Sequence, residues 1–151
     1  MAEMERLQEI LDESSDPENP GPQEIKDIME RVKTIAVVGM SRSPDKEARR
    51  VPSYLAAKGY DIIPVNPFVD AIIGKEAKDS LADIEGPVDM VLVFRPSEEA
   101  AQVARVAMDR EERPVIWLQE GITADQEARE AREKGIPFVQ DLCSYQVHKA
   151  L

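Results

Sequence analysis

The residues that offer chemistry in this chain cluster between Gly39 and Arg50. The string Gly39-Met40-Ser41-Arg42-Ser43-Pro44 is followed closely by Lys46, Arg49 and Arg50. A glycine lets the backbone turn tightly and come close to a ligand. Ser41 and Ser43 offer hydroxyls and Arg42 a planar fork. A helix starting just beyond them would add free N–H groups and the positive end of its dipole. Between residues 40 and 50 four cations face Asp45 and Glu47, a local balance of +2 in a chain of net charge −11. These are the parts of a phosphate cradle. The plainer reading is an ordinary strand-to-helix turn with a solvated arginine.

Other candidates offer less. Cys143 and His148 are the single cysteine and histidine. A nucleophilic pair needs a third residue to orient the base and donors for the developing oxyanion, and the sequence supplies neither. Cys143 reads as a small buried hydrophobe; a mixed disulfide with a bound thiol would require exposure and a lowered pKa. One cysteine and one histidine do not make a zinc site, which needs four N or S ligands when structural and usually three protein ligands when catalytic. The adjacent carboxylates Glu98-Glu99 and Glu111-Glu112 point different ways on a helix and read as solvated faces. Trp117 reads as packing.

The elements that must position the cradle follow from the apolar pattern. Residues 1–14 read as an amphipathic helix with Met4, Leu7, Ile10 and Leu11 on one face, ended by the breaker-rich stretch from Asp16 to Pro22. This extension either packs on the main body or serves self-association. A short helix is expected over 23–31. Ile35-Ala36-Val37-Val38 is a continuous apolar run, the mark of a strand covered on both faces. A helix over residues 47–58 follows, with Gly59 as C-cap. Pro52 is tolerable there only in the first turn, which puts the helix start near Arg50. Ile62-Ile63-Pro64-Val65 is a strand whose proline suggests an edge, a bulge or a frayed end. Strands over 88–94, 115–118 and 138–139 alternate with helices over 98–110 and 124–134. In the first of these helices Ala101, Val103, Ala104 and Ala107 are available for packing.

Such alternation demands right-handed crossovers. The expected fold is α/β, a Rossmann-like doubly wound, mainly parallel sheet of about five strands with helices on both faces and an N-terminal helical extension. The division is residues 1–21, extension and Pro-rich linker, and residues 22–151, the Rossmann-like domain.

The 151 residues suit one domain, and 42% hydrophobic with 32% charged residues suits a globular one. No apolar run approaches 18 residues, the start Met1-Ala2-Glu3 does not read as a signal peptide, and a lone cysteine fits a reducing compartment. A cytoplasmic location is expected, with no membrane and no nucleic acid as partner, since a net −11 repels both.

In such a sheet ligands bind outside the carboxyl ends of the strands. A dinucleotide fingerprint would be G-x-G-x-x-G, but Ser41 and Pro44 stand where the second and third glycines belong. An NAD site also wants an acidic residue at the second strand's end, where this chain has Asn66. NAD is disfavoured.

The string IAVVGMSRSPDKEARRVPSYLAAKGYDIIPVNP (35–67) resembles the opening of the small stand-alone coenzyme A-binding proteins, themselves similar to the CoA-binding domain of the succinyl-CoA synthetase α subunit. SLADIEGPVDMVLVFRPSE (80–98), VIWLQEGI (115–122) and DLCSYQVH (141–148) continue it in order, over about 120 residues that exclude 1–21. The resemblance implies CoA along the strand ends. Gly39, Met40, Ser41, Arg42, Ser43, Lys46 and Arg50 would hold its phosphates; Val65, Asn66 and Pro67 with Phe94, Arg95 and Pro96 would form the walls. A neutral Asn66 suits the 3′-phosphate that CoA carries where NAD has a free hydroxyl, and Arg50 matches the family's helix arginine while Arg49 faces solvent. Leu142 and Val147 depart from the family, which often has an arginine and a glutamate there.

The function implied is a non-catalytic module that binds CoA or an acyl-CoA, alone as a homo-oligomer or beside an enzyme partner. One alternative is a small acyl-CoA-using transferase or nucleotide-dependent oxidoreductase. Another is a protein-interaction module that has lost the ligand.

Overall fold

A computed structural model describes residues 2–151; Met1, which the expected first helix included, lies outside the described residues. Two helices, α1 (Ala2–Asp12) and α2 (Pro22–Arg31), precede β1 (Thr34–Val38). Then follow α3 (Glu47–Ala57), β2 (Asp61–Val65) and a small antiparallel pair, β3 (Ala71–Ile72) with β4 (Lys75–Glu76). A 3-10 turn at Leu81–Asp83 leads to β5 (Met90–Val93), α4 (Ser97–Met108) and β6 (Val115–Leu118). The chain closes with α5 (Asp125–Glu133), β7 (Phe138–Val139) and α6 (Ser144–Lys149). The β3–β4 pair, the 3-10 turn and α6 carry no strong apolar period and were not expected.

The sheet runs β2-β1-β5-β6-β7, all parallel, so strand order reverses between β1 and β5. Alternate residues of each strand feed opposite layers, as a pleated strand requires. Ile35, Val37, Met90, Leu92 and Trp117 face α1, α2, α3 and α6 through Leu7, Ile25, Ile28, Leu55 and Val147. Ala36, Val38, Val91, Val93, Ile116 and Leu118 face α4 and α5. On that side Ala100, Ala104, Ala107, Ala128 and Ala131 are fully or almost fully buried, and their small side chains let the helices lie close to the sheet. Of the residues expected to pack on α4, Ala101 and Val103 are only half-buried. Trp117 is fully buried, its Nε1 donating to the Leu142 carbonyl at 2.8 Å, and Leu142 and Val147 are core residues.

Pro64 lies in an edge strand, as its sequence suggested. The outer side of β2 is closed by Lys78, which donates to the Pro64 carbonyl at 2.9 Å and accepts from the Asn66 N–H at 2.8 Å. The opposite edge, β7, is closed by the segment after α1. Asn19 exchanges bonds with Gln140, donating to its carbonyl and accepting from its N–H, each at 3.0 Å. Asp16 accepts from Arg132 at 3.0 Å and from the Gln140 amide at 2.8 Å. With Leu7 and Leu11 in the core, the N-terminal segment packs on the sheet's own domain.

The start of α3 agrees with the apolar pattern at Glu47 and not with the shift to near Arg50 argued from Pro52. The helix begins at Glu47, and Pro52 is a buried interior residue rather than a first-turn one. The missing proline N–H would otherwise bond the Ala48 carbonyl. That carbonyl instead accepts the Ser41 N–H at 3.0 Å, so the loop after β1 takes the bond the helix gives up.

Burial opposes ionisation of Asp16, but the Glu18 N–H, Gln140 and Arg132 outweigh it and hold the carboxyl below the usual carboxylate range. Its contribution to stability is therefore complete above the unfolded carboxylate pKa and is lost as pH falls through the lower folded value. Asp16→Asn should cost about 1.5–3 kcal/mol in urea denaturation at pH 7, and the difference from the unmodified protein should shrink as pH falls below about 4. A pH-independent difference would contradict this account.

Candidate functional site

At the reversal of strand order, where β1 and β5 part, a cleft of about 820 Å³ opens at the carboxyl ends of the strands. That is within the range of about 300–1,000 Å³ found for small-molecule and cofactor sites. Gly39, Met40, Ser41, Lys46, Val65, Asn66, Pro67, Phe94 and Arg95 all line it. Arg42, Ser43, Arg50 and Pro96 do not, and all four are exposed.

The cradle is shaped by bonds within itself. Gly39 has φ +84°, and its N–H donates to the Val65 carbonyl at 3.0 Å, tying the end of β1 to the end of β2. A Cβ there would meet Arg95 Cδ at 2.6 Å and the Phe94 carbonyl at 3.2 Å. The Arg95 stem thus lies against the glycine, filling the space beside it. Ser43 donates its N–H to Ser41 Oγ at 3.0 Å, a local turn. Arg49 does not simply face solvent: it donates to the Arg42 carbonyl at 2.9 Å and to Ser53 Oγ at 3.2 Å. Arg50 donates to the Asp45 carbonyl. Two of the four cations therefore fold the loop, while Lys46 has a place on the cleft wall.

Asn66 is a hub. Its Nδ2 donates to the Met40 carbonyl at 2.9 Å and its Oδ1 accepts from the Phe68 N–H at 2.8 Å. The amide joins the loops after β1 and β2, a role that its type alone did not disclose. On the facing wall Arg95 grips Glu99 through two bonds of 2.7 and 3.0 Å. The guanidinium holds the Glu99 carboxyl below the usual carboxylate range. Glu99 is therefore an ion-pair partner on the cleft wall and not only a solvated carboxylate. Glu112 likewise accepts from the Val88 N–H at 3.0 Å and from Arg110 at 2.7 Å.

Several lining residues were missed from sequence: Phe68, the stretch Asp79-Ser80-Leu81-Ala82, and Glu99, Gln102, Val103 and Val106 of α4. The α4 set falls at i, i+3, i+4 and i+7, a helix face beside the buried alanine stripe, and that period was readable. The 79–82 stretch reaches the cleft through the irregular chain after β4, which no period reveals.

Cys143 and His148 have separate partners. Cys143 is buried, its sulfur 3.1 Å from Gln119 Nε2. His148 Nδ1 lies 2.8 Å from the Tyr54 hydroxyl, and burial, then the nearby Lys58 charge, pushes the imidazole pKa down. Among the described residues no cluster of three or more His, Cys, Asp or Glu could hold a metal ion, and no helix is long and apolar enough to cross a membrane.

A parallel five-stranded sheet covered on both faces, with a cleft at its switch point, defines a Rossmann-like α/β domain. The sequence model of the CoA binding domain matches residues 33–149. The chain belongs to that family. It is 41% identical over 131 residues to the protein YneT of Bacillus subtilis strain 168, an alignment covering 87% of this chain and 96% of that one. Among solved structures it is similar to Prb, the PH1109 protein redesigned for binding, at 30% identity with a TM-score of 0.81 over 88% of this chain and 94% of the other. It is also similar to the protein ID.343 from Thermus thermophilus, at 38% identity with a TM-score of 0.77 over 84% and 96% of the two chains.

Gly39→Ala should unsettle the cleft from its centre. A side chain at φ +84° costs about 1–3 kcal/mol of strain, and the Arg95 stem must move as well. Urea denaturation should show a loss in that range or above; an unchanged midpoint would contradict the packing described.

Proposed function

We propose that this protein binds coenzyme A, or an acyl-CoA, across the carboxyl ends of β1, β2 and β5, and carries out no chemistry on it. One observation carries the reading: in a member of the CoA binding domain family, the cleft at the switch point combines cationic groups with apolar walls. CoA has the same division, a diphosphate and a 3′-phosphate on one part and uncharged groups on the rest. The diphosphate would lie over Gly39, Met40 and Ser41, near Lys46 and the start of α3, where the Glu47 and Ala48 N–H groups precede the first bonds to the Lys46 carbonyl. Arg42, Ser43 and Arg50 stand outside the cleft lining, so their role would be at its mouth, toward a 3′-phosphate. Val65, Asn66, Pro67, Phe94, Arg95 and Pro96 would flank the ligand.

The donor set fits a polyanion, with one condition. Arg95 is held by Glu99 in this structure, so an arriving phosphate competes with a carboxylate for the same guanidinium. Lys46 forms no ion pair among the described residues and is the simpler anchor. A module of this kind would act as a carrier or sensor of CoA, or as a subunit serving an enzyme partner, in the cytoplasm.

Calorimetric titration with CoA, dephospho-CoA and NAD, beside Lys46→Ala, tests the reading. Expected are binding of CoA, weaker binding without the 3′-phosphate, little for NAD, and a loss of about ten- to a hundredfold in the variant. Binding of NAD but not CoA would overturn the reading in favour of a nucleotide-dependent oxidoreductase. Binding of neither would leave a fold that has lost its ligand.

A further inference from the structure

The cleft changes character along α4. Glu99, Gln102, Val103 and Val106 form one helix face, roughly 10 Å long at about 1.5 Å per residue. At one end stand Arg95 and Glu99; toward the other the wall becomes Val103 and Val106. Phe68 lines the same cleft and is 91% exposed. Among the described residues three large apolar side chains are exposed, Phe68, Val106 and Leu151, and two of them line this cleft.

Phe68 does not stand there on a loose loop. Its N–H is held by Asn66 Oδ1 at 2.8 Å, and the other end of that amide holds the Met40 carbonyl at 2.9 Å. The hub that joins the loops after β1 and β2 thus also fixes the backbone of the exposed aromatic residue. The polar residues Asp79, Ser80 and Gln102 line the same cleft.

We propose that Phe68 is the base-stacking residue of the site, with the adenine of the ligand lying between its ring and the Val103–Val106 face of α4. The inference rests on the CoA reading above and adds a residue that determines affinity. Adenine is the one large aromatic surface that CoA carries. It presents apolar faces and a polar edge, which matches two apolar walls beside the groups of Asp79, Ser80 and Gln102. An aromatic side chain left in water before binding is ready to stack without first breaking contacts in the core. Stacking of this kind corresponds to about 5- to 140-fold in affinity, converted from about 1–3 kcal/mol per base.

The test is calorimetry with CoA on the full chain and on Phe68→Ala and Phe68→Trp. F68A is expected to bind about 5- to 140-fold more weakly with an unchanged melting temperature, and F68W to bind at least as well as the unmodified protein. Trp117, the single native tryptophan, is fully buried, so a tryptophan at 68 gives a separate fluorescence signal that CoA should quench. If the unmodified protein binds CoA and F68A binds equally well, the stacking role is overturned and the CoA reading stands. Equal weakening in F68A and F68W, with no quenching, would assign Phe68 to loop packing and overturn it too. Failure of the unmodified protein to bind CoA would overturn the CoA reading itself, and the stacking role with it.

Discussion

The bond from the Ser41 N–H to the Ala48 carbonyl, 3.0 Å long, holds the loop after β1 against the first turns of α3. It is available because Pro52, four residues further along the helix, has no N–H to offer that carbonyl. What looks in sequence like a defect in a helix is the point where the helix hands a backbone acceptor to the cradle. The Gly39 N–H on the Val65 carbonyl and the Asn66 amide between Met40 and Phe68 complete the arrangement. The loops after β1 and β2 and the first turns of α3 are thereby locked together largely by main-chain groups. The shape of the cleft then depends on few side chains, and its cations are left to tune charge.

The rest of the fold holds those loops still. Parallel strands buried on both faces end in one row, and the reversal of order between β1 and β5 opens the crevice there. The two sheet edges are closed by different means, Lys78 on β2 and the segment carrying Asp16 and Asn19 on β7. Exposed edges invite pairing with other chains, so closure at both ends leaves the strand ends as the open face of the sheet. Charge follows the same economy: against a net of −11, the cations near the cradle are divided between folding the loop, as Arg49 and Arg50 do, and facing the cleft, as Lys46 does.

Much of this was readable from the chain. Continuous apolar runs such as 35–38 and 115–118 gave the buried strands, because a two-sided strand has no polar face to interrupt it. The loop at Gly39 and the strand-end residues Val65, Asn66, Phe94 and Arg95 were found because a doubly wound sheet has one place for a ligand. The failures have physical causes. Pro52 was misplaced because propensity cannot anticipate a carbonyl used from outside the helix. Arg49 and Glu99 were read as solvated because their partners lie within the same loop and helix turn, where sequence shows proximity but not direction. Phe68 was not assigned to the site although it follows Asn66-Pro67 directly at the strand end, since a single exposed aromatic residue carries no period.

The account places ligand binding at the switch point of the sheet and nowhere else on the surface, and amide chemical shifts measured during a CoA titration test that most directly. The account predicts shift changes concentrated at residues 39–46, 66–68, 94–95 and along α4 from Glu99 to Val106, with β7 and α6 little affected. Changes centred instead on the small hollow beside Ser14, Asp141 and Cys143, or the absence of any saturable change, would contradict it.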